Sequence, residues 1–166
     1  FLAANHVAAS FIRVDADELT YPLHIMLRFE VELAIFRDKL STKELPQLWN
    51  EKMKNYLGIV PKNDAEGILQ DIHWSFGAFG YFPTYTLGAM YAAQFFDAAT
   101  KQIPNLLTQI SQGQFAPLRQ WLKTNIHEKG SSANSDTICQ EATGEKLNAK
   151  YFINYLQYKY LEIYKL

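Results

Sequence analysis

Apolar residues recur at three- and four-residue intervals along most of this chain and show no sustained alternation, so the pattern predicts an all-α fold. Leu19, Leu23, Met26, Leu33 and Phe36 form the first stripe. Asp15, Asp17 and Glu18 precede it, acidic residues suited to a helix N-terminus, and the helix is expected to run to about Asp38. Ser41, with Glu44 three positions on, has the form of a capping box. Behind it Leu45, Leu48, Trp49, Met53 and Tyr56 supply a buried face, and Gly58 is placed to stop the helix. Val60 to Glu66 is turn-rich, with Pro61, Asn63 and Asp64.

A long helix is expected from Pro83 to about Lys101, carried by Leu87, Met90, Tyr91, Gln94, Phe95 and Ala98. Shorter ones follow: from Pro104 to Gln112 with Gly113 ending it, from Pro117 through Trp121 and Ile126 to Gly130, and over Ile138 to Ala142 with Ser135 or Asp136 as cap. The last helix, Asn148 to about Tyr164, should bury Phe152, Leu156, Tyr160 and Ile163. With no repeat and no low-complexity segment, residues 1–166 are expected to form one helical unit or a piece of a larger one.

One stretch departs from this pattern. Gly67 to Tyr85 places Gln70, Asp71, His73 and Trp74 within five residues among apolar neighbours, where polar groups must be hydrogen-bonded or functional. Gly77, Gly80 and Pro83 then allow close backbone approach and start a helix, which sets Tyr81 and Tyr85 beside His73. Asp71 is placed to accept a proton from the His73 ring and fix its tautomer.

The sequence GILQDIHW at 67–74 resembles the GxxQDxHW signature of the thermostable carboxypeptidase family, zinc-dependent enzymes that remove C-terminal amino acids from peptides. Ile-Arg-Val-Asp-Ala-Asp at 12–17 is similar to that family's [IV]RxxAD signature, and the likeness extends from about Phe11 to the C-terminus. The family holds its metal with two histidines of an HExxH helix and a glutamate of a following HES segment. This chain has four histidines, His6, His24, His73 and His127, and no two are four apart. It begins at Phe1 and is read as the C-terminal part of such an enzyme, without the zinc-binding half. The resemblance therefore implies zinc or cobalt in the intact enzyme and none bound by this part. It also implies a peptide substrate, the N-terminal half of the same enzyme as a partner, and a homodimer.

Roles follow residue by residue. The resemblance implies that Arg13 recognises the free C-terminal carboxylate of a peptide, a task suited to a guanidinium fork. From the residues alone, an ion pair with Asp15 or Asp17 competes with that reading. Oligopeptidases of the thimet type similarly place a histidine and a tyrosine twelve apart around the oxyanion, so His73 and Tyr85 are expected to donate to it. Tyr81 is an alternative donor or a substrate contact. A hydrogen-bonded core histidine and packed tyrosines are the competing readings. Gln70, Asp71 and Trp74 are expected to position these groups, purely structural hydrogen bonding being the alternative. His24, on the flank of the first stripe, is expected to pack in a core or interface, and His6 and His127 to lie at the surface.

Composition narrows the partners. Sixteen basic and 17 acidic residues give a net charge of −1, with no field to attract nucleic acid or an anionic membrane. With 48% hydrophobic residues the chain has material for a core, yet no apolar run is long enough to span a bilayer. The single Cys139 excludes an intrachain disulfide and fits a reducing compartment, so a cytoplasmic location is expected. Helices separated from a missing half should leave an apolar patch and promote self-association. The rival reading is a non-catalytic helical module that uses the same groove to hold peptides or a partner.

Overall fold

A computed structural model describes residues 1–165. The described residues are helical with no strand: α1 (Tyr21–Phe36), α2 (Leu45–Leu57), α3 (Pro83–Gln102), α4 (Leu106–Ser111), α5 (Ala116–Asn125), α6 (Ser135–Thr143) and α7 (Lys150–Tyr164), with short 3₁₀ turns that include Arg13–Asp15 and Trp74–Phe76. The chain divides into two compact units, Phe1–Thr86 and Leu87–Leu166.

In the first unit α1 packs on α2. Leu27 and Val31 meet Leu45, Trp49, Met53 and Leu57, with Phe11, Leu23, Ile68 and Trp74 closing the edges. Burying each of these large side chains is worth about 1.5–3 kcal/mol, so this cluster is the anchor of the unit. The expected face of α2 is present in Leu45, Trp49 and Met53, with Leu48 and Tyr56 at its margin. Gly58 ends the helix at φ 72°, a left-handed conformation that costs any residue with a Cβ more than glycine.

The expected stripe on α1 is not the face that α1 buries. Met26 and Phe36 are 44% and 53% exposed, and Leu19 is also exposed. The buried face carries Ile25, Leu27, Val31 and Ala34 together with His24, Arg28 and Glu32. Hydrophobic periodicity assigns charged positions to solvent, and here three polar residues at intervals of four turn inward because they have partners there. The helix also starts later than expected, at Tyr21. Asp17 takes the amides of Leu19 and Thr20 at 2.9 Å each and the Thr20 hydroxyl at 3.0 Å, organising the preceding turn.

Only half of the expected capping box forms. The Ser41 amide donates to Glu44 at 3.2 Å, but the helix begins at Leu45, whose neighbour Pro46 suits a first turn. Before α6 the cap is Asn134, whose side chain accepts from the Thr137 amide, rather than Ser135 or Asp136.

The second unit is centred on Ala98, Ala99, Leu106, Trp121 and Ala142. Gln94, wholly buried, serves as its polar hub. Its amide nitrogen reaches Thr143 Oγ1 at 3.0 Å and the Lys146 carbonyl at 3.1 Å, while its oxygen accepts from the Asn148 amide at 2.9 Å. A residue counted as part of an apolar stripe in the sequence thus fixes the loop that leads into α7. In α7, Phe152 and Tyr160 are buried while Leu156 and Ile163 are only partly covered.

Candidate functional site

The two sequence signatures meet in the first unit through Gln70. Its oxygen accepts from the Arg13 amide at 2.8 Å, and its nitrogen is directed at the carbonyls of Phe11, Glu66 and Gly67 at 2.9–3.0 Å. One side-chain amide thereby satisfies backbone groups of both segments, which fixes where Arg13 leaves the chain.

Arg13 does not pair with Asp15 or Asp17. Its Nε and Nη2 donate to Asp71 Oδ1 at 2.9 and 2.7 Å, and its Nη1 donates to the Tyr21 hydroxyl at 3.0 Å. The second oxygen of Asp71 belongs to Arg28, whose Nε donates to Oδ2 at 2.6 Å. Arg28 is 0% exposed, lies over the Trp49 ring at 4.7 Å and the Phe82 ring at 5.3 Å, and returns Nη1 to the His24 carbonyl at 2.9 Å.

These contacts set the protonation of the group. Burial pulls the Arg28 guanidinium down to about 10 against the opposing pull of Asp71, and it stays charged at neutral pH. Burial is the largest single influence on Arg13 and works against its charge, but the hydrogen bonds and charge of Asp71 together with Tyr21 outweigh it and raise Arg13 above its ordinary value. Burial alone would raise Asp71; Arg28 and Arg13 overcome it and hold the carboxyl below its usual range. His24, beneath them and fully buried, is lowered to about 4 by burial first and by Arg28 and Arg13 second, so it is neutral.

His73 stands on the other side of Asp71. Its Nε2 is 3.0 Å from the Tyr85 hydroxyl, and the ring packs on Phe82 with centroids 4.4 Å apart. The expected hydrogen bond from the His73 ring to Asp71 is absent: Nδ1 lies 4.0 Å from Oδ1, and both oxygens of Asp71 accept from the arginines instead. Tyr81 is adjacent, its ring 5.5 Å from that of Tyr85 and 5.8 Å from that of His73, and it is half exposed. The Arg13 guanidinium sits 5.4 Å from the Tyr85 ring centroid, so Arg13, His73, Tyr81 and Tyr85 converge on one region.

Trp74 is held by Glu32. Its Nε1 donates to Oε1 at 2.8 Å, and the Gly80 amide donates to the other oxygen at 3.0 Å. Gly80 adopts φ 76°, which turns the chain back so that Tyr81 and Tyr85 return beside His73. His6 and His127 are exposed, as expected.

Comparison with known proteins decides what this arrangement belongs to. Residues 1–160 match the family model described as carboxypeptidase Taq (M32) metallopeptidase. The chain belongs to the M32 carboxypeptidase family. Among its M32 relatives, carboxypeptidase 1 of Bacillus subtilis is 51% identical over 99% of this chain and 33% of its own length. Thermostable carboxypeptidase 1 of Thermus thermophilus is 46% identical over 98% of this chain and 32% of its own length. The M32 carboxypeptidase from Deinococcus radiodurans R1 superimposes with a TM-score of 0.96 at 38% identity, covering 99% of this chain and 33% of that one. The chain therefore spans about one third of the length of the M32 proteins it matches.

M32 enzymes are metallopeptidases, and the residues described here do not make a metal centre. Among them no three His, Cys, Asp or Glu side chains gather at ligand spacing. Asp71 and Glu32, the carboxylates that hold Arg13, Arg28 and Trp74, have both oxygens engaged by protein donors. Three polar participants are not among the residues singled out in the sequence: Arg28, Glu32 and Tyr21. The signal that could have found the first two is His24, Arg28 and Glu32 at intervals of four in a largely apolar helix, a polar ladder on one face.

Proposed function

We propose that this chain is the substrate-end and oxyanion half of a peptide-hydrolysing carboxypeptidase, its C-terminal part, acting within one catalytic domain. In this reading Arg13 binds the free carboxylate of a peptide's last residue, His73 and Tyr85 donate hydrogen bonds to the oxyanion formed at the attacked carbonyl, and Tyr81 contacts substrate. Gln70, Asp71 and Trp74 position them. The observation that carries the reading is the convergence of a guanidinium, an imidazole and a phenol within one aromatic-walled region. An exopeptidase acting at C-termini needs a fixed cation to select the chain end and donors aimed at developing negative charge, and such donors act most strongly where water is sparse.

Zinc or cobalt, with the water it would activate, is assigned to residues outside this chain, in the N-terminal half of the same enzyme. The chain alone is accordingly proposed to hydrolyse nothing. A homodimer and a cytoplasmic location complete the proposal; no helix among the described residues is long and apolar enough to cross a membrane.

The test is steady-state hydrolysis by the full-length protein of an acyl-dipeptide with a free C-terminus and of its C-terminal amide. Wild type should cleave the acid and spare the amide, and Arg13→Met should raise KM for the acid by tenfold or more. Equal cleavage of acid and amide by wild type would remove Arg13 from this role. Absence of any cleavage by the metal-loaded full-length protein would favour a module that only holds peptides.

A further inference from the structure

An arginine paired with an aspartate carries no net charge, and the Arg13–Asp71 pair taken alone would offer little to an incoming carboxylate. The structure contains a second guanidinium on the same aspartate. Arg13 uses Oδ1 and Arg28 uses Oδ2, so two cations share one anion and the cluster retains a surplus of one positive charge. We propose that Arg28 is a positioning residue for carboxylate specificity: by taking the second oxygen of Asp71 it leaves the cluster with one uncompensated positive charge, so that Arg13 can accept a second carboxylate. This rests on the reading of Arg13 given above and extends it to a residue outside both signatures.

The geometry supports a division of labour. Arg28 is fully buried, sandwiched between the Trp49 and Phe82 rings with Nη1 on the His24 carbonyl, so it cannot itself meet substrate. Arg13 retains 8% exposure and commits three N–H groups, two to Asp71 and one to Tyr21. A guanidinium has five, so two remain for a ligand. Two further polar groups lie on the buried face of α1. Buried His24 is uncharged, and Glu32 is turned toward Trp74 and Gly80. Tyr21 contributes a neutral hydroxyl.

The experiment is calorimetric binding, to the full-length protein, of an acyl-dipeptide with a free C-terminal carboxylate and of its amide. It needs no turnover. For wild type the acid should bind more tightly than the amide by about tenfold or more, the range of a charge-assisted hydrogen bond. Arg28→Met neutralises the cluster and should abolish most of that preference while leaving amide binding within about twofold. Arg28→Met combined with Asp71→Asn restores a surplus of one positive charge and should restore the preference.

A purely structural role for Arg28 predicts that both ligands weaken together and that the double variant is no better; that result overturns the proposal. If Arg28→Met does not fold, Asp71→Asn alone decides, since it raises the surplus charge and should tighten the acid several-fold, and unchanged or weaker binding counts against the idea. A wild type without preference for the acid defeats the underlying reading of Arg13 instead, and the inference falls with it. A normal wild-type preference that survives Arg28→Met defeats the inference alone.

Discussion

His73 Nε2 lies 3.0 Å from the Tyr85 hydroxyl, and the two residues are twelve apart in the chain. The turn at Gly77 and Gly80 closes this distance, so the pair is set by backbone geometry before any substrate arrives. If the pair serves an oxyanion, Tyr85→Phe and His73→Ala should each lower kcat by about 10²–10³ with a smaller change in KM. The double variant should be less than multiplicative, because each group orients the other. Kinetics of the full-length protein measure this, and a change confined to KM would assign the pair to substrate binding.

Glu32 satisfies two donors at once, the Trp74 indole and the Gly80 amide. Glu32→Ala leaves both without their acceptor in a partly buried setting, and should cost about 1 kcal/mol. Urea unfolding should show a lower midpoint with an unchanged slope. Glu32→Gln, which keeps one acceptor, should recover part of the loss.

His24 gives the protein an acid sensitivity of definite sign. Its folded-state pKa, about 4, lies below the ordinary 6.5, so the unfolded chain takes up the proton first as pH falls. The stability it supports is complete above about 6.5 and is lost progressively toward 4, on the order of 2–3 kcal/mol for this one group. Thermal midpoints measured between those values should fall with pH, and His24→Gln should flatten that dependence. An identical slope in the variant would place the acid sensitivity elsewhere.

Gly80 sits at φ 76° with open space where a Cβ would be, so conformation rather than crowding is what a substitution meets. Gly80→Ala should cost about 1 kcal/mol. Gly80→Asn should cost less, since asparagine tolerates the left-handed region. Equal losses for both would argue that the Gly80 amide contact, not its torsion, governs the turn.

Val14, Leu69, Ile72 and Phe76, all in the first unit, are each more than 60% exposed. Large apolar side chains left open in this number promote association. The 166-residue chain on its own should self-associate, and sedimentation velocity should show a mass average that rises with concentration. A monomer at every concentration tested would refute that expectation.

Much of the architecture was legible in the order of residues. Local signals determined the helices: Pro83 starts one, Gly58 ends one, and the apolar face of α2 could be named because Trp49 and Met53 have no polar competitor for the interior. The two signatures pointed to one family before any fold was known, since a motif depends on residue identity and spacing alone. Helix α1 shows what such signals miss. Its apolar stripe was assigned to the core, yet Met26 and Phe36 are exposed while His24, Arg28 and Glu32 are buried. Burial of a charge depends on finding a partner far along the chain, Asp71 for Arg28 and Trp74 for Glu32, and no periodicity within sixteen residues contains that partner. The sequence by itself determined helix content, family and the residues worth watching. Only the tertiary structure decided which carboxylate Arg13 meets, and that two guanidiniums share it.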